Sequence, residues 1–489
     1  PEVDDKYCGD YEATDSMSGL YGTRSDGIEG KCYSISNMDD IIAFRKYVNE
    51  GYKTSKIIFF LTRDIDMSYT YSAANDTSWT PVGTANNPFK GIFDGQGYTI
   101  KYLYISSQAA DDQGLFGHVT GVNAVIKNLG VTGSVTARGK NTAAICADFN
   151  FGTVANCWTS CVVAGSAGTG GIIGAGNMGT VINCTSYATV YAAGSAGEIP
   201  YPRVGGLAAE GHTFINCANY GSVKANPDSS GFSSPGGYGA GGIACIARVM
   251  IGCANYGSVV AGGQAGGVVG EISSWGSTEE KPVGVMVGCG NYGTVEAREW
   301  AGGLAGFAEG IMEDCYNLGT VKVERTQVGG LVGRYSTSDY TALKVGIHNC
   351  YHAGSVQYGA EEAEPVAGHL VGLVQGNADE ATAKELLSGN YYQKIGLLPA
   401  VGSMDIGDSA VAMELADMQK QEFLDKLNSY THVALYGAAW QFRYITGQGR
   451  MPVYKEYQEL LDYSCKLKGV TVNGMPAIAA DGGYTWVLP

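Results

Sequence analysis

Basic residues are scarce in this chain. Lys and Arg number 31 against 47 Asp and Glu, a formal charge of −16. No basic cluster is present to neutralise phosphates, so no nucleic-acid partner is expected. Polybasic attachment to a membrane is disfavoured for the same reason. No apolar run reaches the length of a membrane span, so direct membrane insertion is not expected. None of the six histidines precedes Glu, and the His-Glu-x-x-His signature of a zinc protease is missing. Proline is modest at 13 residues, and the 73 glycines follow no every-third-residue period, which excludes collagen. The chain opens at Pro1 without a leader pattern, so a signal peptide is expected to have been removed.

What the chain does have is glycine among Val, Ile, Ala and Tyr, with hydrophobic residues at 45%. That mixture is too apolar for a linker and indicates many tight turns between short strands. At 489 residues the chain is too long for one ordinary core. A solenoid escapes that limit, because each repeat buries its apolar face only on its neighbours.

Internal repeats are present. FINCANYGSV (Phe214 to Val223), MIGCANYGSV (Met250 to Val259), MVGCGNYGTV (Met286 to Val295), MEDCYNLGTV (Met312 to Val321) and IHNCYHAGSV (Ile347 to Val356) share one pattern. Weaker copies start at Ile126, Val154 and Val181. A second block, GGIIG at Gly170, GGVVG at Gly266 or GGLVG at Gly329, precedes the copies. Each rung thus offers about three short strands, too short for an independent sheet but able to bury a continuous core when stacked in parallel. The expected fold is all-β: a parallel β-helix.

The alignment places Cys157, Cys184, Cys217, Cys253, Cys289, Cys315 and Cys350 at one repeat position, where Leu129 stands in the first copy. A position that accepts Leu or Cys is an apolar interior position, so a structural cysteine ladder is expected. Asn219, Asn255, Asn291 and Asn317 share the position two residues later and read as an asparagine ladder at a corner. Asn128, Asn156, Asn183, Asn216 and Asn349 mark a second, less regular polar stack. Outside the repeats, Cys8 and Cys32 form a candidate disulfide across an acidic N-terminal arm.

A solenoid needs its ends covered. Residues 37–49 carry Ile41, Phe44 and Val48 on one helical face, with Ser36 and Asp39 as a cap and Gly51 as a stop. This helix should close the N-terminal end. MQKQEFLDKL, Met418 to Leu427, reads as a C-terminal helix, and the aromatic segment Ala439 to Tyr454 as its partner, together plugging the other end. The expected organisation is an arm at 1–35, the β-helix with its N-terminal helical cap at 36–376, a C-terminal helix and aromatic cap at 377–459, and a β-hairpin or the start of an Ig-like module at 460–489.

LTRDIDM, WTPVG, FKGIFDGQGYTIKYLYI and GLFG, between Leu61 and Gly117, together with the NYGSV and GGLVG repeats up to Gly372, resemble bacterial surface proteins with GLUG-type repeats. The resemblance implies a right-handed β-helix in a secreted or cell-surface protein. Such repeats occur in adhesin-like proteins and beside the catalytic domain of IgA proteases.

No catalytic constellation is legible. Asp64, Asp66 and Asp94 belong to turn-forming motifs and show no basic partner of the kind a polysaccharide lyase or hydrolase needs. His348, Cys350 and His352 alternate and could share a strand face toward zinc, but Cys350 and His352 occupy ladder positions. No metal or other cofactor is expected. Tyr201, Phe232, Tyr238, Trp275, Trp300, Tyr335 and Tyr340 lie in or near loop insertions and are the candidate binding surface. The expectation is a monomeric, non-catalytic adhesion module, extracellular or on the cell surface, whose partner is a glycan or a host or matrix protein. A carbohydrate-active enzyme and a passive spacer of a larger protein are the alternatives.

Overall fold

The computed structural model describes residues 11–489 apart from 72, 76, 193–201, 226–238, 273–283, 338–344, 360–365, 431–439, 455–470, 473–474, 477, 481–482 and 486–489. The chain forms two units, one of residues 1–213, 217–222 and 459–486, the other of residues 214–216, 223–458 and 487–489. Each is a stack of coils of a parallel β-helix.

In the first unit Cys146–Ala155 runs parallel to Ile173–Ile182, in register from Cys146 opposite Ile173 to Ala155 opposite Ile182. In the second unit Val285–Val287 lies between Val249–Ile251 and Ile311–Glu313, again parallel and in register. The interior is filled by one apolar side chain over another, and Met250, Met286, Met312 and Ile347 are all buried. The glycine blocks have a steric cause. A Cβ on Gly266 would overlap the carbonyl oxygen of Val269, and one on Gly302 that of Ala305. The chain folds too tightly there for any side chain.

Residues 11–35 are not an arm. Asp15–Ser16 and Cys32–Ile35 are parallel strands that begin the stack, since Cys32–Ile35 pairs with Ile58–Leu61. Between them stands a short helix, α1 (Met17–Thr23). The second helix, α2 (Met38–Asn49), buries Ile41, Phe44 and Val48 as expected. Phe44 lies against Phe59, Phe89, Phe93 and Phe116, which closes this end of the core with aromatic rings. The cap of α2 is Asn37 rather than Ser36, and it accepts from the N–H of Asp40 at 3.0 Å. Asp40 in turn accepts from the N–H of Ser36 and from Ser18 of α1, so one buried carboxylate ties both helices to the chain entering them. The cap shifts by one residue because Asp40, not Asp39, points back.

The C-terminal segment corrects a second expectation. It lies on a flank of the second unit. After α3 (Glu380–Leu386), Asn390–Gln393 and Ala410–Met413 add parallel strands to the stack. Then α4 (Leu415–Met418), α5 (Gln421–Asn428) and an antiparallel hairpin, Trp440–Ile445 with Gly449–Tyr454, pack onto the outward tyrosines Tyr316, Tyr351 and Tyr391. The reason is strand alternation. Cys350 points inward, so Tyr351 points out and needs cover, which Phe423 and Trp440 supply. Of residues 460–489, Thr471–Val472 with Met475–Pro476 and Ile478–Ala480 with Gly483–Thr485 are two short antiparallel pairs.

Candidate functional site

The cysteine ladder is a hydrogen-bonded core element. In the first unit Leu129, Cys157, Cys184 and Cys217 occupy successive coils, and in the second Cys253, Cys289, Cys315, Cys350 and Asn390 do so. The thiols are buried and unbridged. The N–H of Cys289 donates to the sulfur of Cys315 at 3.4 Å, and that of Cys315 to the sulfur of Cys350 at 3.2 Å. Asn390 ends the row, its side-chain oxygen accepting from the N–H of Cys350 at 2.9 Å. Burial pushes the thiols of Cys184, Cys289 and Cys315 well above the usual range, so they stay protonated and unreactive.

Both asparagine stacks are structural. Asn255 donates to Asn291 at 2.9 Å, Asn291 to Asn317 at 2.8 Å, and Asn317 meets His352 Nδ1 at 3.1 Å. Each Asn also accepts from the N–H two residues on, which closes its own turn. In the first unit Asn183 donates to Asn156, Asn156 to Asn128, and Asn128 to the buried carboxylate of Asp94. These corner residues have left-handed backbone, φ near +53°, which Asn tolerates.

The candidate residues of the sequence do not converge. Tyr201, Phe232, Tyr238, Trp275 and Tyr340 lie outside the described residues, as does Cys8 with its pairing to Cys32. Trp300 and Tyr335 are corrected as members of an exposed surface. Tyr335 is fully buried, its hydroxyl donating to the Gly310 carbonyl at 2.8 Å, and Trp300 is covered by the Arg334 guanidinium 3.8 Å from its ring. Both residues lie on strands of the stack, Trp300–Gly302 and Val332–Thr337, so their rings pack against the coils rather than project from an insertion. The left-handed Asn349 turns the chain between His348 and Cys350, while Cys350 and His352 both face the interior as members of the cysteine and asparagine ladders. Asp64 pairs with Lys101 at 2.6 Å and Asp94 with Lys127 at 2.9 Å, each in its own place.

Exposed aromatics do occur, at a repeat position outside the insertions. In the first unit Tyr187 and Tyr220 follow the inward Ser186 and Asn219, so they point out. Their rings stack at 5.2 Å and 14°, and they are 45% and 48% exposed. Tyr191 and Val162 add further exposed apolar surface to the coils of this unit. In the second unit Tyr256 and Tyr292 hold the same repeat position and stack at 4.5 Å. There the C-terminal hairpin reaches the row, Arg443 donating to the Tyr256 hydroxyl at 3.3 Å. The signal was in the sequence: an inward Asn, or Ser186 in the coil of Tyr187, puts the Tyr that follows it outside.

One polar cluster was also missed. His118 stands between two carboxylates, Nε2 at 3.0 Å from Asp112 and Nδ1 at 3.0 Å from Asp148. Asp148 is opposite His118 on the next coil, and Asp112 comes from a left-handed corner. Hydrogen bonds to Asp112 and Asp148 raise the His118 pKa to about 9. Asn141 donates to the second oxygen of one carboxylate and Asn150 to that of the other, each at 2.8 Å. Asp112 and His118 are near neighbours in sequence, but Asp148 lies a full coil further on, and only the coil register brings it to them.

No family model matches the chain. Over 115 residues, 23% of this chain and 12% of the relative, it is 33% identical to a candidate Gly-rich membrane protein of Evansella cellulosilytica. Over 143 residues, 27% of this chain and 2% of the relative, it is 32% identical to halomucin of Haloquadratum walsbyi. The chain therefore spans a small part of the curated relatives it matches. Among solved structures, a candidate immunoglobulin A1 protease from Bacteroides ovatus is similar at a TM-score of 0.36 and 17% identity, covering 89% of this chain and 95% of that one.

Proposed function

We propose that this chain is a non-catalytic binding module of a bacterial surface or secreted protein, acting as a monomer and recognising a glycan or a host or matrix protein. The observation that carries the reading is the outward tyrosine row of the first unit. Tyr187 and Tyr220 are about half exposed, whereas the buried Tyr316 and Tyr351 of the second unit are covered by the chain's own C-terminal segment. Exposed clusters of large amphipathic rings mark interaction surfaces more often than isolated ones do. The match to segments of larger proteins, one of them named as a membrane protein, supports a place at the cell surface. No helix of the described residues is long and apolar enough to cross a membrane.

The test is a glycan array together with a panel of matrix proteins, probed with the intact chain and with the Tyr187→Ala/Tyr220→Ala double variant. Binding by the intact chain that drops at least about tenfold in the folded variant is expected, the scale of one or two aromatic anchors. Blank screens, or binding indifferent to both substitutions, overturn the reading and leave the spacer role.

A further inference from the structure

The Asp112–His118–Asp148 cluster has a geometry that an ordinary ion pair does not require. Two carboxylates bonded in line to the opposite nitrogens of one imidazole would stand far apart. Here one ligand atom from each of the three residues lies within 4.8 Å of the other two. Both carboxylates therefore crowd the same edge of the ring. Like charges so close repel, and one imidazole cannot balance two carboxylates even when protonated. Asn141 and Asn150 hold the outer carboxylate oxygens and leave the inner ones aimed at the ring. Among the described residues no Lys or Arg pairs with either Asp. The side chains are 19% to 24% exposed, which leaves an open side.

We propose that Asp112, His118 and Asp148 bind a divalent transition-metal ion of the zinc class. Two carboxylate oxygens and one imidazole nitrogen supply three ligands, and the open side admits water to complete the shell. A dication neutralises both carboxylates where the ring cannot. Bonds of about 2.0–2.2 Å require that the carboxylates, now beside different ring nitrogens, close together onto one of them. Asn141 and Asn150 then act as the outer shell that orients the ligands. The imidazole favours zinc, cobalt or copper over calcium, which prefers an all-oxygen shell of higher number. The ion would join two successive coils and the corner before them.

The experiment is titration of the whole chain with Co²⁺, followed by its visible absorption, and with Zn²⁺ by calorimetry. One ion per chain and a Co²⁺ band that Zn²⁺ displaces are expected, with no comparable uptake of Ca²⁺. His118→Gln and Asp148→Asn should each weaken binding by more than about 100-fold, and Asn150→Ala by about tenfold. Zn²⁺ should also raise the melting temperature of the wild type, a readout that stands if a variant fails to fold. No Co²⁺ band, or Zn²⁺ affinity unchanged in a folded His118→Gln protein, shows that the cluster is an ion pair and nothing more.

Discussion

Tyr454 packs directly over Gly288: a Cβ on Gly288 would stand 2.5 Å from ring carbons of Tyr454. Gly288 is a left-handed corner with φ of +63°, a position where most other coils carry Asn or Asp and that of Cys253 carries Gly252. The glycine is therefore explained by the hairpin above it and not by the turn alone. Gly288→Asn keeps the corner conformation and removes the space. The expected result is loss of about 1–3 kcal/mol by overpacking, with Trp440 fluorescence shifting to the red as the hairpin lifts. Unchanged fluorescence and melting would show that the hairpin is not seated there.

The thiol ladder predicts silence toward reagents. In native protein Cys157, Cys184, Cys289, Cys315 and Cys350 should not react with a disulfide reagent, and in denaturant they should react fully. Peptide mapping after labelling checks this. Cys315→Ala removes a buried sulfur that accepts one hydrogen bond and donates another, and should cost about 1–3 kcal/mol. Rapid labelling of these positions without denaturant would contradict the buried row.

His352 gives the acid limb of stability. Burial, with His369 beside it, pushes its pKa down to about 3. An unfolded histidine titrates near about 6.5. Between those values the unfolded chain binds a proton that the folded chain does not, so stability is lost as pH falls from about 6.5 toward about 3. His352→Asn installs the residue that the ladder carries elsewhere and removes this titration. Urea midpoints at neutral and mildly acid pH should therefore differ less in the variant. Equal pH dependence in both proteins would rule out His352 as a source.

Asp94 is fully buried, paired with Lys127, and accepts from Asn128, from the N–H of Gln96 and from the Tyr11 hydroxyl. Asp94→Ala leaves a half-buried ammonium and several donors without an acceptor. A loss of about 3–5 kcal/mol is expected in chemical denaturation, far more than for Asp64→Ala at its exposed pair. Similar losses in the two variants would refute that ranking.

The repeat alignment alone determined the solenoid, the inward cysteines and both asparagine stacks. Those features recur at a fixed register, and the physics is local: Cys inside, Asn at a corner, Gly where the chain turns on itself. By the same alternation Tyr187 and Tyr220 were legible as outward residues, whereas the strand places of Trp300 and Tyr335 beside the insertions were not. Other features depended on contacts between segments distant in sequence. The C-terminal segment reads as a plug from its aromatic content, but its seat on Tyr316 and Tyr351 depends on which outward side chains lack cover. Asp112, His118 and Asp148 carry no motif: His118 and Asp148 share a register position, but the residue there changes from coil to coil, to Ala175 and Glu210, and Asp112 comes from a corner. Sequence determined what each coil does for itself and its neighbour, whereas the cover on the second unit and the Asp–His–Asp cluster were decided only when coil stacking brought unrelated residues into contact.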